Sequence, residues 1–191
     1  FCFLLFLFFQ IYNFYITNKI EKDSIVFFSS QNNKDIDNDN SILKLSKETN
    51  FYGILSKLEL IKIKLKNQEN EEAIILYNEL FDNKNLDNIY KSSIASKAAY
   101  EFIDLNFEDL NSNYSKTIEK FISIIDEELI NYKGIKLELN YLFAILTSKL
   151  NNIEYLDYAE ALNLYESIMN SDVTSSAIKQ RINKIHEYFI Y

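Results

Sequence analysis

A small residue followed four places later by an aromatic residue recurs at a fixed interval along this chain. The series consists of Ala73 with Tyr77, Thr117 with Phe121, and Ala161 with Tyr165. Successive pairs are 44 residues apart. Residues four apart lie on one face of a helix, where the small residue admits a neighbouring helix and the ring fills the space beside it. The recurrence therefore predicts stacked helical hairpins, with these six residues at the repeat positions.

The composition also favours helices over sheets. The chain of 191 residues contains no Pro and only two Gly, Gly53 and Gly134. Tight turns and β-hairpins normally use more of both residue types. Hydrophobic residues make up 48% of the sequence, which is enough to form a sizeable core. We therefore expect an all-α protein built from long helices and polar loops.

Apolar residues at helical spacing predict three hairpins followed by a terminal helix. The predicted helices cover residues 51–66, 71–81, 89–105, 114–125, 132–150, 158–169 and 173–189. Upstream, residues 18–30 are expected to be helical, residues 31–40 to form a polar loop, and Ser41 to cap a short helix. Residues 151–157 are expected to join the two helices of the third hairpin. The last helix is rich in Lys, Gln, Arg and Glu, as expected for an end helix that faces water.

The first residues of the chain have the composition of a membrane anchor. Residues 1–16 are apolar except for Gln10 and Asn13, and the first charged residue is Lys19. A spanning helix needs about 20 apolar residues, so the run is slightly short. Because the chain opens on Phe, we expect that further residues precede it. We predict a transmembrane anchor at residues 1–18, with a cleaved signal peptide and a buried core helix as the alternatives.

The predicted organisation has three parts: the anchor at residues 1–18, a helical linker at 19–49, and a repeat domain at 50–191. The formal net charge is −8, and no basic patch stands out, so we expect no nucleic-acid partner. The single cysteine, Cys2, excludes an internal disulfide and a cysteine metal site.

No catalytic, cofactor or metal site is predicted. His186 is the only histidine, and without a second histidine or a nearby cysteine we interpret it as a solvated or half-buried side chain. The three consecutive acids from Asp126 to Glu128 are typical of a solvated connector rather than an acid–base pair. The two glycines are too far apart for a phosphate-binding loop. The sequence does not indicate which face binds a partner.

The small-x-x-x-aromatic pattern on the second helix of each hairpin resembles the tetratricopeptide signature. The period of 44 residues is longer than the usual period of about 34, and the Pro that commonly ends such repeats is absent. A HEAT-type array, with a period of about 40–47, is the alternative geometry. The order of an apolar first helix, a short helical segment and the motifs at residues 50–56, 72–80 and 89–99 resembles one family in particular. This is the membrane-anchored, tetratricopeptide-like family that includes the ancillary subunit of the bacterial SecYEG translocon, in its alphaproteobacterial form.

The resemblance implies a non-enzymatic protein of the inner membrane, with one spanning helix and a periplasmic helical domain. Its implied function is a scaffold for protein–protein interactions in protein export or envelope chaperoning. The implied partners are translocon components or exported clients, and the resemblance assigns no catalytic residue and no cofactor. Two alternatives remain: a soluble or secreted helical-repeat regulatory protein, and an envelope hydrolase, which would need a catalytic pair.

Overall fold

The computed structural model describes residues 2–32, 36–150 and 159–190. Within these ranges all regular secondary structure is helical, which confirms the predicted all-α class. The nine helices of the described part are α1 (Cys2–Asn32), α2 (Ile36–Leu45), α3 (Phe51–Lys66), α4 (Asn70–Phe81), α5 (Asn88–Glu108), α6 (Ser115–Ile124), α7 (Ile130–Leu150), α8 (Ala159–Asn170) and α9 (Ser176–Ile190).

The helices from α3 onward follow the predicted ranges closely, and α3 has the predicted bounds. The largest difference at a helix start is in α9, which begins at Ser176 rather than at residue 173. The reason is a capping interaction: the Ser175 hydroxyl accepts a hydrogen bond from the amide of Ile178 at 3.3 Å. The predicted connector at residues 151–157 lies outside the described residues.

The polar loop predicted at residues 31–40 is wrong for all of its described residues, which are 31, 32 and 36–40. Helix α1 continues to Asn32, and α2 begins at Ile36, so Ser41 lies inside α2 instead of capping it. Asn and Asp lower helix propensity by only tenths of a kcal/mol per residue, which packing readily offsets. Ile42 and Leu45 supply that packing, because both are buried.

The transmembrane anchor is predicted at residues 1–18, and α1 includes residues 2–18 of that segment. No helix within the described residues, α1 included, is long and apolar enough to cross a membrane. The apolar run is broken at Gln10 and Asn13, and α1 continues without a break into the charged residues that begin at Lys19.

The chain divides into two compact units, Phe1–Asn85 and Leu86–Tyr191. In the first unit α1 packs against α2 and α3, and α3 packs against α2 and α4. In the second unit α5 packs against α6 and α7, and α7 packs in turn against α6, α8 and α9. The segment predicted as a linker, residues 19–49, thus contributes packed helices to the first unit.

Small side chains on α5 allow close helix packing in the second unit. Ala95, Ala98 and Ala99 are fully buried, together with Ser92. Beside them Phe102 is also fully buried and meets the ring of Phe121 on α6 edge to face, with centroids 5.7 Å apart. The arrangement places an aromatic pair at the centre of the α5–α6 hairpin.

The start of α3 is fixed by a polar contact and by a very close backbone approach. Asn50 caps the helix, because its side-chain oxygen accepts a hydrogen bond from the amide of Gly53 at 3.0 Å. The amide nitrogen of the same side chain donates to Asp23 on α1 at 2.6 Å. A Cβ atom on Gly53 would lie 2.0 Å from the carbonyl oxygen of Glu48, so only glycine fits at this position.

Gly53→Ala is therefore expected to destabilise the first unit, at the upper end of the roughly 1–3 kcal/mol typical of overpacking. The helix propensity gained by alanine, about 1 kcal/mol, does not compensate for a clash with backbone atoms. Gly134→Ala on α7 is the comparison variant, with a smaller expected loss, because its added Cβ would meet backbone atoms of Val173 and Thr174 at 3.1 Å and needs a shift of only a few tenths of an ångström. Guanidinium unfolding followed by circular dichroism measures both. Equal midpoints for the two variants would contradict the close approach at Gly53.

Candidate functional site

The six repeat residues all lie on the second helix of a hairpin, in α4, α6 or α8. Ala73, Tyr77, Phe121 and Ala161 are almost completely buried. Thr117 and Tyr165 are half-buried. On α6 the neighbouring residue Ile118 is fully buried and takes the deeper position beside Phe121.

In two hairpins the repeat aromatic contacts an aromatic residue on the first helix of the same hairpin. Phe121 on α6 contacts Phe102 on α5, and Tyr165 on α8 lies 6.5 Å from Tyr141 on α7, measured between ring centroids. In α4 the ring of Tyr77 stacks with Phe81 of its own helix at 6.2 Å. Phe121 and Tyr165 thus link the two helices of their hairpins, whereas Tyr77 is buried beside a ring of its own helix.

Ala161→Leu is expected to destabilise the second unit by roughly 1–3 kcal/mol, because Ala161 is 1% exposed and has no room for a larger side chain. Asn163→Leu adds a similar side chain at an exposed position of the same helix and serves as the control. Thermal unfolding of both variants measures the difference. A melting temperature for Ala161→Leu equal to that of the control would show that this alanine is not a close-packing position.

A polar cluster joins α7, α8 and α9 around His186. The Tyr141 hydroxyl lies 3.0 Å from His186 Nδ1, and the ring of Tyr165 stacks on the imidazole with centroids 3.8 Å apart. The Tyr165 hydroxyl donates to the side-chain oxygen of Asn183 at 2.7 Å. Burial between these groups lowers the pKa of His186, and the nearby carboxylate of Glu187 opposes that change only in part.

The lowered pKa makes the second unit sensitive to mild acid. The unfolded chain binds a proton near pH 6.5 while the folded chain resists it, so this contribution to stability is complete above pH 6.5 and is lost as the pH falls through the folded pKa. We expect the melting temperature to fall between pH 7.5 and 5.5, and to fall less in His186→Gln. Because His186 is the only histidine, its NMR titration gives the folded pKa directly. A midpoint above 6.5 would contradict this prediction.

A second polar cluster joins α5, α7 and α9. Glu138 on α7 is 1% exposed and accepts hydrogen bonds from Arg181 Nε at 2.9 Å and from Arg181 Nη2 at 2.7 Å. The Tyr100 hydroxyl donates to the same carboxylate at 2.7 Å. Burial, followed by the charge of Glu138, raises the pKa of Tyr100, while Glu138 raises the pKa of Arg181. The buried Glu138 carboxylate is therefore paired with one cation and accepts three hydrogen bonds.

The acidic connector between α6 and α7 is engaged in local structure. Asp126 accepts hydrogen bonds from the Asn88 side chain at 3.1 Å and from the amide of Glu128 at 2.9 Å. Glu127 forms an ion pair with Lys136 at 2.7 Å, which lowers the pKa of Glu127. These acids tie the connector to α5 and α7, as expected for a solvated turn.

The most unusual surface of the described chain is an apolar segment of α1, defined here as residues 6–15. Its exposed side chains are Phe6, Phe8, Phe9, Ile11, Tyr12, Phe14 and Tyr15, each more than half accessible to solvent. Phe14 is the most exposed of them, at 69%. At 100° per residue these positions occupy all sides of the helix, and none of the side chains described for the segment is buried. A helix that is apolar all round normally lies in a protein core or a membrane.

The second half of the same helix is fixed to the first unit. Lys19 forms an ion pair with Glu48 at 2.5 Å, and Asp23 holds the Asn50 side chain. Further along, Phe27 contacts the ring of Tyr52 at 6.0 Å. The apolar segment is thus continuous with a helix that the rest of the unit holds in place.

The described residues include no group of three or more His, Cys, Asp or Glu side chains arranged to hold a metal ion. The polar clusters centred on His186 and Glu138 are the main features that the sequence did not reveal. Two features of the sequence could have indicated the Glu138 cluster: Arg181 is the only arginine, and Glu138 interrupts the apolar pattern of α7.

Comparisons of this chain with protein-family models, with curated proteins and with solved structures find no match. The resemblance inferred from the sequence motifs therefore stays a prediction.

Proposed function

We propose that this protein is a non-enzymatic scaffold for protein–protein interactions, held at a membrane by the apolar segment of α1. The observation that carries the proposal is the exposure of this segment on all sides while the second half of α1 is fixed to the first unit. Water is a poor solvent for such a surface, and patches of this size normally mark interaction sites.

Energetics support a lipid environment for the segment. Moving one side chain of this kind out of water contributes roughly 1.5–3 kcal/mol. Six of the seven exposed apolar side chains between residues 6 and 15 are aromatic, and Tyr12 and Tyr15 are well suited to the membrane–water boundary. The combined contribution is large enough to hold a protein on a bilayer.

The scaffold role draws on the helical hairpins. Each unit consists of packed helices, and we propose that the hairpins are tetratricopeptide-like, which is the interpretation that the small-x-x-x-aromatic pattern favours, although the period of 44 residues is longer than usual. The polar clusters support a structural role because they join helices: Glu138 holds Arg181 and Tyr100, and His186 contacts Tyr141 and Tyr165. Repeat proteins of this kind commonly bind other polypeptides on their helical surfaces.

The sequence resemblance leads us to propose the export machinery as the partner class, with the helical units on the periplasmic side of the inner membrane. Tethering raises the local concentration of a weak binder near its partner, so the scaffold does not need high intrinsic affinity. Translocon components or exported clients are the partners that this location would bring within reach.

Membrane fractionation with protease protection tests the proposed location. We expect the full chain to stay with membranes in carbonate and in high salt, and α2 to α9 to be cleaved only when protease reaches the periplasmic side. Release of a shortened chain into the soluble fraction would support a secreted regulatory protein instead. Cleavage from the cytoplasmic side alone would reverse the proposed orientation.

A further inference from the structure

Arg181 is the only arginine in the sequence, and every other permanently charged basic residue is a lysine. A guanidinium group differs from an ammonium group in presenting several fixed donors, so that it can pair with one carboxylate along one edge and with a second along another. Arg181 uses Nε and Nη2 on the buried carboxylate of Glu138. Its remaining nitrogen, Nη1, takes no part in the two hydrogen bonds to Glu138.

The side chain of Arg181 is 56% exposed, whereas that of Glu138 is 2% exposed. The guanidinium is therefore held in one orientation from beneath and is open to solvent from outside. The Tyr100 hydroxyl also bonds to Glu138 and fixes the carboxylate that orients the arginine. Such preorganisation reduces the entropy lost when a ligand binds.

Helix α9, which carries Arg181, has the opposite charge balance to the rest of the chain. The sequence contains 28 acidic and 20 basic residues, yet α9 contains three basic residues, Lys179, Arg181 and Lys184, and one acid, Glu187. Lys184 is exposed and lies three residues after Arg181, so both cations share one side of α9. Gln180 is exposed on the same side and offers an amide donor.

We propose that the outward edge of Arg181, together with Lys184, binds a carboxylate of an acidic polypeptide segment. The positive charge of α9 favours an anionic partner. The chain as a whole is acidic and would instead favour basic segments. This inference rests on the proposed function as a scaffold and specifies the chemistry of one partner segment.

The presence of a single arginine makes the test direct, because the full chain labelled with ¹⁵N-arginine gives one Nε–Hε resonance. The chain is titrated in a neutral detergent at low salt with a hexaglutamate peptide, and with hexaglutamine as the uncharged control peptide. We expect a saturable shift of the Arg181 resonance with hexaglutamate and none with hexaglutamine. A resonance that hexaglutamate does not move would overturn the proposal without any variant being made.

Three variants identify the groups responsible. Arg181→Lys keeps the charge but loses the second edge, and is expected to weaken hexaglutamate binding about tenfold. Lys184→Gln is expected to weaken it roughly two- to fivefold. Lys62→Gln removes an equal charge from a 70% exposed lysine of the first unit and is expected to leave the affinity unchanged. Melting curves verify that each variant is folded. If Arg181→Lys does not fold, the titration of the wild-type resonance and the affinity of Lys184→Gln test the site.

Equal affinity in wild type and folded Arg181→Lys, or equal losses in Lys184→Gln and Lys62→Gln, would contradict the site. The result is also separable from the fate of the proposed function. A negative titration combined with partners captured at the membrane removes the Arg181 site and leaves the scaffold. A positive titration with no partner captured at the membrane supports the Arg181 site and contradicts the scaffold.

Discussion

Replacing Phe121 with Ala is expected to lower the free energy of unfolding by about 3–5 kcal/mol, the range found for removing a buried aromatic ring. Phe121 is 0% exposed and meets Phe102 edge to face at the centre of the α5–α6 hairpin. The loss combines the transfer energy of the ring with the cost of the cavity left between the two helices. Since small domains are stable by only about 5–15 kcal/mol, this change removes much of the stability of the second unit.

Tyr188→Ala is the matched control, because Tyr188 is 80% exposed on α9 of the same unit. Chemical denaturation of the two variants under identical conditions measures the difference in unfolding free energy. A loss below about 1 kcal/mol for Phe121→Ala, comparable to that of a surface substitution, would contradict the placement of this repeat aromatic in the core.

A triple variant in which Phe8, Phe9 and Phe14 are each replaced by Ser is expected to be released from membranes. Each side chain is at least 60% exposed, so the substitutions remove little packing within the first unit. At roughly 1.5–3 kcal/mol for each ring, the three changes lower the partition into lipid vesicles by a factor of about a thousand or more. Vesicle co-sedimentation measures the partition, and circular dichroism verifies that the helices remain.

The control for this triple variant replaces Ile75, Ile130 and Tyr188 with Ser, since these three side chains are also more than half exposed. It removes apolar surface outside α1 and is expected to leave the vesicle partition unchanged. If both triple variants lose binding equally, general surface hydrophobicity governs the partition. If the α1 variant still sediments with vesicles, the apolar segment is not the membrane contact.

The helical architecture was predictable because it is encoded locally. Helix α3 has the predicted bounds since its apolar residues recur at helical spacing and Asn50 caps it. The boundary near Ser41 was not predictable from local signals. Ser is a good cap, yet burial of Ile42 and Leu45 extends α2 on both sides of it.

The polar clusters could not be predicted because their members are distant in sequence. Glu138 and Arg181 are 43 residues apart, and Tyr141 and His186 are 45 apart. In each case the contact exists only once α9 packs against α7, which depends on the whole of the second unit. Sequence periodicity indicated which faces of these helices are apolar, but it carries no information on which polar side chains meet across the interface.

Crosslinking in intact membranes tests most directly whether the protein is a tethered scaffold. The full chain and the Phe8, Phe9 and Phe14 triple variant are crosslinked side by side, and the captured proteins are identified by mass spectrometry. We predict that the full chain captures translocon or envelope proteins and that the triple variant, folded but untethered, loses most of them. Capture of the same partners by both forms would contradict the role of tethering. Capture of none by either form, together with turnover of a glycan or peptide substrate, would contradict the scaffold and support an envelope hydrolase.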